Sequence, residues 1–223
     1  GQTTEILSNL VGNSGLVSGL DISEKFIKYA KENINQKNIE FKISDVQNDA
    51  LPLLFYNYAF SRFGVMFFEN PKMAFQNIYN SLKINGTLSF VCWQNPKRNP
   101  WHSLTQKIIS SHFDVPPAPE IKSPSPFAFQ DKEYIFEILK NSNFTKIDIN
   151  EFNKEMIWFP GQDLEYAANA MLERNPVISE QVQHLNTKEI NNIINELINA
   201  YTPYYNGDLK FPSSTWIVNA EKE

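Results

Sequence analysis

Ile6, Leu7, Leu10 and Val11 recur at helical spacing near the start of the chain, and the stretch 12–15, with a glycine at each end, closes that helix. An apolar run at 16–20 then reads as a short buried strand that stops at Asp21. Ser23 is placed to cap a second helix, with Phe26, Ile27, Ala30 and Ile34 on one face. Ile39, Phe41 and Ile43 alternate as a strand that ends before Ser44 and Asp45. Residues 58–61 form a third apolar strand. Asn70 and Pro71 are a cap followed by a first-turn proline, and Met73, Ala74, Ile78 and Leu82 give the helix behind them its apolar stripe. Asn85-Gly86 turns the chain into a fourth strand at 87–93. Strands and helices alternating at this spacing predict an α/β fold, with a mostly parallel, doubly wound sheet covered on both faces.

Beyond Trp93 the rhythm is more helical. Leu104, Ile108, Ile109 and Phe113 mark one helix, and residues 114–130 carry five of the 13 prolines, as a surface loop or lid would. Asp131 is placed to cap a helix carrying Tyr134, Ile135, Ile138 and Leu139, and 146–152 alternates as a strand. Residues 164–173 read as helical, and the stripe Ile190, Ile193, Ile194, Leu197, Ile198, Tyr201 predicts another helix. Residues 216–220 close the chain as a strand. The expected organisation is a cofactor-binding core at 1–150 with a lid around 94–130, a helical cap at 151–214, and a final strand at 215–223 that rejoins the core sheet.

At 223 residues and 42% hydrophobic, the chain is long enough to bury a sizeable core. The net charge of -5 and the lack of a basic run argue against nucleic acid as a partner. No stretch has the length of unbroken apolar residues that crosses a membrane. Cys92 is the only cysteine, which fits a reducing, cytoplasmic setting.

Open parallel sheets bind ligands at the carboxyl ends of their strands. Asp21 ends the first strand, twenty positions after Gly1, the spacing between a glycine-rich loop and an acid that accepts from ribose hydroxyls. Asp45 follows the next strand and can accept from an exocyclic adenine amine, with Val46 offering backbone groups and Ile22 an apolar surface for the ring. Each aspartate also has a structural reading, as a helix cap or a turn residue. Together, at consecutive strand ends, they favour a nucleoside site. No general base is assigned: His102 and His112 lie between the fourth strand and the proline-rich loop, His102 reads as a solvated or helix-capping residue with a base as the alternative, and His184 lies in a polar stretch. Met66, Phe67, Phe68 and Cys92 read as core, and no metal site is expected.

The ordered motifs resemble a family. Gly1-Gln2-Thr3-Thr4 looks like the tail of the Gly-x-Gly-x-Gly loop of class I S-adenosylmethionine-dependent methyltransferases, and Gly19-Leu20-Asp21-Ile22-Ser23 like their second motif. Ser61-Arg62-Phe63-Gly64-Val65-Met66-Phe67-Phe68, Leu82-Lys83-Ile84-Asn85-Gly86-Thr87-Leu88, Asn99-Pro100-Trp101 and Pro126-Phe127-Ala128-Phe129 resemble a bacterial group near the ubiquinone and menaquinone-biosynthesis methyltransferases. The resemblance implies a Rossmann-like sheet of seven strands, the last antiparallel and inserted beside its neighbour. It implies S-adenosylmethionine as cofactor, held by Gly1, Gln2, Asp21, Ile22, Asp45 and Val46, with Arg62 and Phe63 beside its methionine and sulfonium end. The expected activity is in-line methyl transfer to a small, partly apolar molecule. Trp93, Trp101, Phe113, Phe127, Phe129, Trp158 and Phe159 would contact that acceptor if they face a cleft, or join the cap to the sheet if they do not.

Departures from the family pattern are Asn57, where relatives often carry Asp, and Ile84-Asn85 in place of Pro-Gly. The resemblance also implies a first strand and loop glycines ahead of Gly1, so the chain is expected to be N-terminally truncated and, produced alone, to fold or bind cofactor poorly. Two other readings stay open: an NAD(P)-dependent oxidoreductase, against which stands the lack of a Tyr-x-x-x-Lys motif, and a non-catalytic, degenerate methyltransferase fragment.

Overall fold

The computed structural model describes residues 1–223 except Ala118, Ile121, Arg174, Pro176 and Val177. In chain order the elements are α1 (Gln2–Val11), β1 (Val17–Asp21), α2 (Glu24–Asn33), β2 (Ile39–Ile43), β3 (Tyr56–Arg62), α3 (Pro71–Ser81), β4 (Leu82–Trp93), α4 (Pro100–His112), α5 (Lys132–Asn141), β5 (Thr145–Trp158), α6 (Leu164–Glu173), α7 (Ser179–Val182), α8 (Thr187–Tyr201) and β6 (Leu209–Glu221). The chain divides into two compact units. The first comprises 1–91, 133–149 and 218–223, and the second 92–132 and 150–217. The segment expected as a lid thus groups with the helical residues after 150.

In the first unit, β1 and β2 pair in parallel from Val17↔Ile39 to Asp21↔Ile43. The other strands form a sheet in the order β3-β4-β6-β5, with β3 parallel to β4. The last strand lies between β4 and β5, as the family resemblance implies, and it is antiparallel to β4. Asn85 N–H donates to Lys222 O, Lys222 N–H returns to Gly86 O, and Ser89 pairs with Asn219, so the numbers rise along β4 as they fall along β6. Among the described residues, β1 pairs only with β2 and β3 only with β4, which leaves each a free edge.

Ser23 caps α2 by accepting from Phe26 N–H at 3.3 Å, and Ile27 and Ala30 pack on Phe41 of β2. Phe26, expected on that same face, is 64% exposed, because β2 covers only part of the apolar arc. On α1 the buried residue is Ser8, whose hydroxyl donates to Asn38 Oδ1 at 2.6 Å, while Leu10 is 76% exposed. Asn70 caps α3 as expected, and Phe75 of α3 meets Phe90 of β4 with centroids 5.5 Å apart. Met73, expected in the α3 stripe, is exposed instead. The turn expected at Asn85-Gly86 falls inside the span of β4 rather than before it. Asn85 takes φ 63°, and both residues still bond to Lys222, so the ladder runs through the irregularity.

The second unit has its own core, where Ile109 of α4, Phe113 just after it, Ala168 and Leu172 of α6, and Ile193, Leu197 and Tyr201 of α8 cluster with Phe211. A capping box fixes the start of α8. Asn186 accepts from the Lys188 and Glu189 amides, and the Glu189 carboxylate accepts from Asn186 N–H. Trp101 sits 4.8 Å from both Trp93 and Trp158, and 5.9 Å from Phe127, centroid to centroid. These rings pack on one another, with Trp93 and Phe127 buried and Trp101 and Trp158 partly exposed.

Candidate functional site

The carboxyl ends of β1 and β2 carry the two aspartates. Parallel pairing ends at Asp21↔Ile43, and Ser44 N–H still donates to Asp21 O at 3.0 Å. Asp45 therefore follows one residue beyond the last bond between the two strands. Asp21 Oδ1 accepts from Ser23 N–H at 2.9 Å, an Asx-type turn leading into α2, whose cap is Ser23 rather than Asp21. Its Oδ2 has no protein donor among the described residues, and Ile22 beside it is 70% exposed. One oxygen thus serves the fold while the other is open to a ligand hydroxyl.

Asp45 is more committed. Its Oδ1 accepts from Gln47 N–H at 2.9 Å and its Oδ2 from Asn48 Nδ2 at 2.6 Å. The turn closes on itself, since Asp45 N–H donates to Asp49 Oδ2 and Asp49 N–H to Asp45 O, both at 2.8 Å. A carboxylate has about four lone-pair positions, so two remain. The Val46 carbonyl accepts from Asn77 Nδ2 at 2.7 Å.

Gly1 and Gly19 are glycines for reasons of packing. A Cβ on Gly1 would stand 2.6 Å from Ile34 Cδ1 and 2.9 Å from Ala30 Cβ. A Cβ on Gly19 would stand 2.7 Å from the Phe41 ring and 2.9 Å from Thr4 Oγ1. Both let α1 approach β1, β2 and α2 closely.

A second group forms at the end of β3. Arg62 donates from a guanidinium nitrogen to Gln2 Oε1 at 3.1 Å, joining the last residue of β3 to the first turn of α1. Phe63 follows in the left-handed region at φ 58°, held by its N–H to Val91 O at 2.9 Å. A bulky residue there is strained, and such strain persists where the surrounding structure enforces it, commonly at functional sites. The candidates thus fall into two groups: Asp21, Ile22, Asp45 and Val46 in one, and Gln2, Arg62 and Phe63 in the other, with Gly1 packed on the α2–β2 side.

Residues 1–90 match the family of methyltransferase domains. A demethylmenaquinone methyltransferase of Porphyromonas gingivalis is 26% identical over 89 residues, which cover 38% of this chain and 36% of that protein. The chain thus spans about a third of the curated relative it matches. Among solved structures, the YcgJ protein of Bacillus subtilis is similar at a TM-score of 0.54 and 11% identity, covering 93% of this chain and 82% of that one. An S-adenosylmethionine-dependent methyltransferase of Methanosarcina mazei is similar at 0.51 and 16%, covering 96% and 85%.

The fold is that of the class I S-adenosylmethionine-dependent methyltransferases. Within this methyltransferase fold, the sequence reading missed the residues that hold the Asp45 turn. Asn77 Nδ2 also donates to Asp49 O at 2.7 Å, and Gln47 Oε1 accepts from Asn70 N–H at 2.6 Å. No local pattern marks Asn77 for this role, since its partners lie 31 and 28 positions away in sequence. Cys92 is fully buried, which pushes its thiol pKa up and makes it an inert core residue, as expected. Val65 and Met66 are buried as well, whereas Phe67, expected in the core, is 53% exposed. His102 lies 4.7 Å from the Phe127 ring, and burial lowers its pKa. No helix among the described residues is long and apolar enough to cross a membrane.

Proposed function

We propose that this protein transfers the methyl group of S-adenosylmethionine to a small, partly apolar acceptor, with Asp21 and Asp45 holding the nucleoside. The observation that carries the reading is the unengaged Asp21 Oδ2 at the carboxyl end of β1, one strand from Asp45 and beside the exposed Ile22. A carboxylate oxygen in that place accepts from ribose hydroxyls, and charged acceptors make the stronger hydrogen bonds. Ile22 offers an apolar face to the adenine ring, and the two lone pairs left on Asp45 suit its exocyclic amine. The Val46 N–H, for which no described residue provides an acceptor, suits a ring nitrogen. Arg62, steadied by Gln2, would pair with the carboxylate of the methionine moiety, with the strained Phe63 beside it in the chain.

When bound, the cofactor supplies a methyl group on a positively charged sulfur. The chain's own task is alignment and exclusion of water. No side chain is assigned as a general base, because an acceptor that is already nucleophilic needs none. The setting we propose is the cytoplasm, which keeps the lone thiol of Cys92 reduced.

Calorimetric titration of the protein expressed from its whole reading frame tests the reading. S-adenosylhomocysteine is expected to bind and NAD to give no heat. Binding of NAD without S-adenosylhomocysteine would replace methyl transfer by hydride transfer, and binding of neither would refute a nucleoside site.

A further inference from the structure

We infer that Asn77 is a positioning residue that sets how Asp45 meets the base, an inference resting on the nucleoside reading above. Its side-chain amide carries two hydrogens, and both are used, one on Val46 O and one on Asp49 O, at 2.7 Å each. One short amide on α3 therefore ties two points of the turn that carries Asp45. Among the described residues, the turn has no other side-chain tether to α3 itself. Gln47 reaches only the capping residue Asn70, at 2.6 Å.

The constraint is relayed to the carboxylate. Asp49, held through its carbonyl, accepts from Asp45 N–H and donates to Asp45 O. Gln47 N–H and Asn48 Nδ2 then occupy one oxygen each of Asp45. With both halves of that network fixed, the remaining lone pairs point in a set direction. Releasing Asn77 frees two carbonyls and lets the turn rotate, and hydrogen-bond strength falls steeply once the angle is lost. Binding to the ribose, through Asp21 on a different strand, is untouched. Asn77 therefore governs selectivity for adenine over a purine without the amine.

The test compares two ligands on the full protein: S-adenosylhomocysteine, and its analogue with hydrogen in place of the exocyclic amine. The wild type is expected to prefer the amine-bearing ligand by about tenfold, the worth of one hydrogen bond to a charged group. Asn77→Leu should weaken S-adenosylhomocysteine by about that factor and leave the analogue within about twofold, so that the preference vanishes. Asn77→Asp, which keeps the shape but has no hydrogen to donate to either carbonyl, should also abolish the preference, and it serves if the leucine variant does not fold. Equal weakening of both ligands, or no change in either, overturns the inference while leaving the nucleoside site standing. A wild type that binds neither ligand, or both equally, overturns the inference together with the role of Asp45.

Discussion

The amide of Ser44 donates to the carbonyl of Asp21 across 3.0 Å, and that bond brings two aspartates 24 positions apart in sequence to adjacent strand ends. Asp21 serves Ser23 with one oxygen and keeps the other open. Asp21→Asn retains an acceptor for Ser23 but loses the charge. It is expected to weaken cofactor binding by roughly 10- to 100-fold with little change in melting temperature. Asp21→Ala also removes the acceptor of the Ser23 amide ahead of α2 and should lower stability by about 1 kcal/mol. Calorimetry and thermal melts on the two variants separate binding from folding.

Gly1 has no room for a side chain, because Ile34 and Ala30 would be closer than van der Waals contact. Gly1→Ala is expected to cost about 1–3 kcal/mol through overpacking. For a chain of this size that lowers the melting temperature by roughly 2–12 °C. A melt that matches the wild type would show that α1 shifts freely.

The parallel strands and the caps at Ser23 and Asn70 were legible because each rests on local chemistry or on a period, whereas the insertion of the last strand between its neighbours followed from the family resemblance alone. The exposed Ile6, Leu10 and Phe26 were not, because periodicity marks an apolar face without saying what covers it. The candidate site was half legible. Strand-end aspartates announce themselves, but the Asn77 bridge joins residues 28 and 31 positions apart, and no local pattern encodes it. Gly1 reads from sequence as a loop glycine for ligand approach, and its packing on Ala30 and Ile34 is a tertiary contact that no local pattern encodes.

Thr105 and Tyr201 share a buried hydrogen bond of 2.6 Å, and the Thr105 hydroxyl also donates to Trp101 O at 2.7 Å. Tyr201→Phe leaves Thr105 with that second partner, at a cost of about 1 kcal/mol. Thr105→Val strands the hydroxyl of a fully buried tyrosine and should cost more, about 1–3 kcal/mol. The double variant is expected to be less unstable than the two losses added. Urea denaturation of the three proteins checks the order.

His102 is largely buried among rings, and desolvation holds its pKa below the ordinary 6.5. The unfolded chain therefore binds the proton more readily than the folded one. The neutral imidazole's contribution is complete above about pH 6.5 and declines as pH falls from there toward the folded-state value. Melting temperature from pH 8 to pH 5 should fall less in His102→Gln than in the wild type. Parallel curves would show that the imidazole titrates alike in both states.

The most direct test is a crystal structure of the whole-reading-frame protein with S-adenosylhomocysteine. The ribose hydroxyls should lie within about 3.2 Å of Asp21 Oδ2, with the adenine amine at Asp45. A nucleoside bound elsewhere, or an Asp21 side chain turned from it, would contradict the account.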